Sequence, residues 1–162
     1  MILSLKITAI LPLLLIAIQD FKERKVLWFL FPVLGVILGV IHFFSSALDE
    51  IFLYHVLLNC ILVTAILSIL YLATILIFKK QFLNQSFGLG DVLFFYAFAL
   101  GFPTISFIVL FANAILFSLL VFLILRKTNG FTTVPLAGLM AVFTIIAFLV
   151  SLFVKNPSLY QY

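Results

Sequence analysis

The chain contains the stretch IFLYHVLLNCILVTAILSILYLATILIF at residues 51–78, in which no aspartate, glutamate, lysine or arginine occurs. An α-helix needs about 20 mainly apolar residues to cross a hydrocarbon core of roughly 30 Å. This stretch is long enough to cross with a tilt or to project beyond the bilayer. Its apolar residues are continuous and do not alternate with polar ones, which excludes a strand of an outer-membrane barrel. A helix then satisfies the backbone in lipid.

Similar runs recur along the whole sequence. Of its 162 residues, 67% are hydrophobic and 9% are charged, with a mean hydropathy of +1.44. An ordinary soluble domain is about half apolar and a quarter charged, so a water-soluble fold could not cover this much apolar surface. We therefore expect an all-α polytopic membrane protein in which residues 1–162 form one transmembrane domain. Six spans are predicted, at about 2–19, 26–46, 51–78, 91–102, 104–125 and 132–154.

The fourth predicted span is too short to cross a membrane unaided. It ends in Gly101-Phe102-Pro103, where proline disfavours helix in the residue before it. The sequence therefore predicts a tight hairpin between spans four and five.

The basic residues stand at the ends of the apolar runs, so the net charge of +4 is interpreted as an orientation signal and not as a nucleic-acid site. Basic residues are enriched in cytoplasmic loops of membrane proteins. This rule predicts the cytoplasmic (inner) membrane, with both termini and the loop at 45–50 outside. With alternating loops, Lys22, Arg24, Lys25, Lys79, Lys80, Arg126 and Lys127 fall on the inner side, and Lys6 and Lys155 on the outer side.

Five acidic residues are present, and two of them abut long apolar runs. Asp49 and Glu50 fit a solvated outer loop, and Glu23 lies among basic neighbours. Asp20 ends the first span and Asp91 begins the fourth, which places both on the cytoplasmic side. Ionisable groups at membrane depth are costly and usually line a functional cavity.

Two glycines precede the second of these aspartates, at Gly88 and Gly90. Because glycine has no Cβ, a substrate strand or a neighbouring helix can approach the backbone closely there. An aspartyl protease needs two carboxylates that share a proton. Asp20 and Asp91 on one membrane face meet that need.

Other catalytic chemistries lack the residues that they require. His42 and His55 fall toward the outer ends of spans two and three, and a metal site that combines them with Asp49 has no recognised ligand spacing. Cys60 is the only cysteine, which excludes an internal disulfide and a cysteine-based zinc site. We expect neither a metal nor another cofactor.

Three segments resemble motifs of the type IV prepilin peptidase family. Phe87-Gly88-Leu89-Gly90-Asp91 is similar to the G-x-G-D motif of intramembrane aspartyl proteases. Asp20-Phe21-Lys22-Glu23-Arg24-Lys25-Val26 resembles the first aspartate motif of prepilin peptidases, and Val134-Pro135-Leu136-Ala137-Gly138 resembles their late proline-containing motif.

The resemblance implies an endopeptidase that removes a short basic leader from prepilin or pseudopilin precursors at the cytoplasmic membrane face. It implies that Asp20 and Asp91 are catalytic. Substrate-binding or motif-shaping roles fall to Gly88, Gly90, Lys22, Arg24 and Pro135. The chain resembles the short form of the family, without a methyltransferase region. Its expected partners are pilin-like precursors and membrane lipids.

Several alternatives stay open at this point. An archaeal preflagellin-type peptidase would share the same motifs. A small transporter or a non-catalytic subunit of a secretion complex could use the aspartates to bind protons or cations. The Gly35-Val36-Ile37-Leu38-Gly39 segment favours close helix packing, within the bundle or in a homodimer. Asn59 and Asn113 are expected to form interhelical hydrogen bonds.

Overall fold

The computed structural model describes residues 2–46, 49–76, 88–129, 134–153 and 159–160. These residues form helices and no strands, which confirms the predicted all-α class. The helices are α1 (Ile2–Glu23), α2 (Leu30–Ser45), α3 (Asp49–Leu76), α4 (Leu89–Ala99), α5 (Thr104–Asn129) and α6 (Leu136–Phe153). Four of them, α1, α3, α5 and α6, are long and apolar enough to cross a membrane, whereas α2 and α4 are shorter. The chain is thus a multi-pass membrane protein.

The boundary between α1 and α2 differs from the predicted one. Helix α1 continues through Asp20, and α2 begins four residues later than expected. Arg24 ends α1 with a positive φ of 55°, a left-handed conformation that a helix cannot continue. The side chain of Gln19 then accepts a hydrogen bond from the amide of Leu27 at 2.9 Å. A folded, non-helical link therefore occupies the start of the predicted second span.

Some predicted features lie outside the described residues. They are Phe87, the basic residues Lys79, Lys80 and Lys155, and the parts of predicted loops and spans at 47–48, 77–78, 132–133 and 154.

The predicted hairpin between the fourth and fifth helices is confirmed. Helix α4 ends at Ala99 and α5 begins at Thr104, and the carbonyl of Pro103 accepts the amide of Phe107 at 2.7 Å. Two neighbouring helices hold this turn. Asn59 of α3 donates to the carbonyls of Ala99 and Phe102 at 3.0 and 2.8 Å.

His42 of α2 also forms a hydrogen bond to the turn between α4 and α5. Its Nδ1 donates to the carbonyl of Leu100 at 3.1 Å. Carbonyls at a helix end have no partner within their own helix, and a membrane interior offers no water to replace one. The side chains of α2 and α3 supply these missing donors.

The G-x-x-x-G face of α2 packs against α4. A Cβ added to Gly35 would lie 3.2 Å from Cδ1 of Leu100 and 3.5 Å from Cα of Ala97. This motif therefore brings α2 and α4 together within the bundle. A homodimer stays a prediction, and it would need a surface other than this one.

The two asparagines of the apolar runs behave differently. Asn59 is fully buried and bonds between helices, as predicted. Asn113 is exposed and donates to the carbonyl of Val109 in its own helix at 2.7 Å. The prediction of an interhelical bond was wrong for Asn113, because its position on α5 faces away from the other described helices.

The contrast between the two asparagines tests whether the hydrogen bonds of Asn59 stabilise the α4–α5 turn. We expect Asn59→Leu to lower the free energy of unfolding by about 1–3 kcal/mol, because it removes the donor for two buried carbonyls. Asn113→Leu serves as the control and should change stability by less than about 0.5 kcal/mol. Thermal unfolding in detergent measures both. Equal losses in the two variants would show that the bonds of Asn59 do not hold the turn.

Candidate active site at the start of α6

The two predicted catalytic aspartates meet at the first turn of α6. Asp20 lies in the last turn of α1, and Asp91 is the third residue of α4. Oδ2 of Asp20 accepts the backbone amide of Gly138 at 2.7 Å. Oδ1 of Asp91 accepts the neighbouring amide of Ala137 at 2.9 Å. The two half-buried side chains are thus held by consecutive amides, and each lies within electrostatic range of the other.

The first turn of α6 binds two carboxylates because its own N-cap residue cannot bond the amides of that turn. The carbonyl of Pro135 accepts the amide of Leu139 at 2.9 Å, so Pro135 occupies the N-cap position. Its ring has no acceptor atom, whereas an N-cap side chain usually bonds the amide two or three residues on. In α6, Asp91 and Asp20 of two other helices take these amides. The positive end of the helix dipole favours negative charge at the same place.

The backbone before Asp91 also holds its carboxylate. Gly88 is the N-cap of α4, and its amide donates to the side chain of Asp91. A Cβ on Gly88 would lie 3.0 Å from Oδ2 of Asp91. With φ at −76°, the conformation suits any residue, so the need for glycine here is a need for space. The space beside Gly88, which the sequence predicts to admit a substrate strand or a neighbouring helix, is occupied by the side chain of Asp91 itself.

Gly90 provides space for a neighbouring helix, as the sequence predicted. A Cβ added to it would lie 3.3 Å from Cζ of Phe31 in α2. Phe31 is buried. The two glycines of the G-x-G-D segment therefore have separate uses, one toward the carboxylate and one toward α2.

The two basic residues predicted to bind substrate, Lys22 and Arg24, differ in burial. Lys22 is exposed, whereas Arg24 is half-buried and its charge acts on Asp20. The left-handed backbone of Arg24 ends α1 one turn after Asp20, at Glu23. Of the two, Arg24 is the residue that the fold directs toward the candidate site.

The lengths of α4 and α5 indicate how deep the site lies. Both helices begin or end at the same turn, yet α4 has 11 residues and α5 has 26. At 1.5 Å per residue they are about 16 and 39 Å long. Helix α5 therefore runs well past the start of α4, and Asp91 is recessed relative to the far end of α5.

The sequence analysis did not identify Gln19, and it placed Ala137 and Gly138 in the late proline-containing segment without a role at the site. Ala137 and Gly138 act through backbone amides, which every residue except proline possesses, and the side chain of Ala137 gave no signal. Gly138 did leave one. Glycine in a helix costs about 1 kcal/mol relative to alanine, and an early helical glycine often has a packing reason.

The histidines belong to the other end of the bundle. His42 bonds Leu100, and His55 accepts the amide of Thr104 at 3.2 Å. Within the part of the chain that the structure describes, no three His, Cys, Asp or Glu side chains lie close enough to hold a metal ion. The alternative site of His42, His55 and Asp49 is not assembled there.

The chain matches no family model, no curated protein and no solved structure in comparisons with known proteins. The resemblance to prepilin peptidases therefore stays a prediction from the motifs.

The chemistry open to this site follows from its geometry. Each carboxylate is fixed by a backbone amide through one oxygen, at the end of the bundle where α1, α4 and α6 converge. Two neighbouring carboxylates at a partly buried place can share a proton. They can also act simply as acceptors for the first turn of α6, and the two roles respond differently to substitution.

A pair of variants at position 20 measures the structural role. Asparagine keeps an oxygen for the amide of Gly138, whereas alanine does not. We expect the free energy of unfolding of Asp20→Ala to be about 0.5–2 kcal/mol lower than that of Asp20→Asn. Chemical or thermal unfolding of the purified protein in detergent gives the difference. Indistinguishable stabilities would mean that this hydrogen bond does not support the fold.

Proposed function

We propose that this protein is a membrane aspartyl endopeptidase that removes the short leader peptide of type IV prepilin-like precursors at the cytoplasmic membrane face. The proposal rests above all on the meeting of Asp20 and Asp91 on consecutive amides of α6. The motifs around both aspartates resemble those of prepilin peptidases and supply the substrate class.

The reaction needs one proton shared between the two carboxylates. The ionised carboxylate takes a proton from a water molecule, whose oxygen attacks the scissile carbonyl carbon. The protonated carboxyl gives its proton to the carbonyl oxygen, and a tetrahedral intermediate forms. Its breakdown passes a proton to the leaving amine, breaks the C–N bond and restores the shared proton. The backbone amides of Ala137 and Gly138 hold the two carboxylates in place throughout.

A purely structural role explains the arrangement less well. One neutral side chain, such as serine or asparagine at the N-cap, serves a helix start adequately. Here two like charges are brought together at a half-buried position of a membrane bundle, where repulsion and desolvation both oppose them. Such a cost is typical of functional sites. Asp20 and Asp91 form a dyad in this proposal, and sharing one proton between them reduces the repulsion.

The charge distribution supports the orientation in this proposal. Asp20 and Asp91 lie at the same end of the bundle as Arg24 and Arg126, whereas Asp49 and Glu50 begin α3 at the opposite end. The positive-inside rule then directs the dyad to the cytoplasm and both termini to the outside.

Neutral variants of the dyad test catalysis. We expect Asp20→Asn and Asp91→Asn each to slow leader removal from a co-expressed prepilin-type precursor by at least about a hundredfold, because each removes an acid or base of the reaction. Gel mobility or mass spectrometry of the precursor follows the cleavage. Asp49→Asn, at the other end of the bundle, is the matched control and should cleave normally. Retained cleavage in either dyad variant, at normal membrane levels, would rule the proposal out.

Single cysteines test the orientation. Replacement of Cys60, the only cysteine, by alanine gives a background for labelling with a membrane-impermeant maleimide. In intact cells we expect Glu50→Cys to react, and Lys25→Cys and Arg126→Cys to react only after the membrane is opened. These three positions are exposed. The reverse pattern would place the dyad outside.

A further inference from the structure

Gly138 lies where α6 and α1 approach most closely at the dyad. It is the third residue of α6 and is buried. A Cβ at this position would lie 3.0 Å from both Cβ and Oδ2 of Asp20 and 3.4 Å from the backbone carbonyl oxygen of Ala17. Glycine is a poor helix former compared with alanine, so its presence here is explained by this contact with α1.

The crowding cannot be relieved by rotation of a side-chain end. The Cβ of Asp20 and the carbonyl of Ala17 move only with the backbone of α1, so an alanine at position 138 would displace α1 and also turn the carboxylate, whose Oδ2 lies equally close. Either change would lengthen the 2.7 Å bond between Oδ2 of Asp20 and the amide of Gly138. The absence of a side chain is therefore what lets Asp20 reach this amide.

The position of Asp20 relative to Asp91 depends on the same contact. Asp91 is fixed by the preceding amide, that of Ala137, at 2.9 Å. The first amides of a helix point out of its N-terminal end, so both carboxylates are placed by one rigid turn. Helices α1 and α4 bring the two acids, and α6 sets their separation.

We propose that Gly138 is a positioning residue of the dyad, whose lack of a side chain sets the distance between the carboxylates of Asp20 and Asp91. This inference rests on the proposed peptidase function for its kinetic consequence, and on the geometry alone for its structural one. Gly138 acts through Asp20 and does not itself contact the scissile bond.

The test compares Gly138→Ala with Gly101→Ala. A Cβ on Gly101 would also lie 3.0 Å from a neighbouring Cβ, that of Leu38, but at the α4–α5 turn far from the dyad. We expect Gly138→Ala to lower kcat for leader removal by about tenfold to a hundredfold with little change in KM, since small misplacements of catalytic groups cost this much. Gly101→Ala should retain kcat. Equal kcat values in the two variants would overturn the proposal.

A second readout does not depend on activity. The chain has three aspartates, Asp20, Asp49 and Asp91, so selective carbon-13 labelling of the aspartate carboxyl gives three NMR signals. In the wild-type protein and in Gly101→Ala, we expect Asp91→Asn to shift the Asp20 signal and leave that of Asp49 unchanged. In Gly138→Ala this dependence of Asp20 on position 91 should be lost or greatly reduced. An undiminished dependence would refute the positioning role, whether or not the protein cleaves prepilins.

If Gly138→Ala fails to accumulate in the membrane, a different variant tests the same contact without adding a side chain at position 138. Asp20→Asn in protein labelled with nitrogen-15 glycine should move the amide signal of Gly138 and leave that of Gly101 in place. A Gly138 signal that does not respond would also refute the inference. A wild-type protein that shows the expected coupling of its carboxyl signals but cleaves no precursor would instead disprove the proposed peptidase.

Discussion

The first amides of α6 need hydrogen-bond acceptors, and this need joins three helices at one point. Pro135 occupies the N-cap position and offers no side-chain acceptor, so Ala137 and Gly138 bond to Asp91 and Asp20. In water, such amides could bond to solvent. At the end of a membrane bundle each unpaired group is more costly, and the aspartates satisfy this demand while bringing two ionisable groups together.

At the opposite end of the bundle, carbonyl groups need hydrogen-bond donors. There the chain turns between α4 and α5, and the carbonyls of Ala99, Leu100 and Phe102 need donors. Asn59 and His42 supply them from α3 and α2. Helix α4 is therefore tied at both ends, through its carbonyls at one and through Asp91 at the other. A short helix of 11 residues with both ends fixed in this way holds Asp91 at a defined depth.

The same hydrogen bonds give the two aspartates a structural role beside the proposed catalytic one. An asparagine can replace an aspartate as an acceptor but cannot exchange the proton that peptide hydrolysis requires. Stability and catalysis should therefore separate on substitution, which a site that served only to cap α6 would not show. A proton or cation transporter would also need ionisable groups here. The two carboxylates on one rigid turn fit the bond-breaking role better, since transport requires a site that opens alternately to both sides.

The sequence by itself determined the membrane class, the hairpin at Pro103 and the two candidate aspartates. Continuous apolar runs allow only helices in lipid, and an acid beside such a run stands out because its charge is costly there. It also marked Gly88 and Gly90, although the space beside Gly88 proved to hold Asp91 itself. Sequence patterns predicted the end of α1 less well, because Arg24 adopts a left-handed conformation that its residue type does not announce.

Only the tertiary structure decided how the two carboxylates are held. Their partners lie 118 and 46 positions away in the chain, and the donors are backbone amides that leave no mark in a side-chain pattern. The separation of Asp20 and Asp91 therefore depends on the packing of α1 and α4 against α6, with Gly138 providing the room. A sequence can reveal which ionisable groups lie beside membrane spans, where a charge is costly. The close packing of the helices determines which of these groups meet.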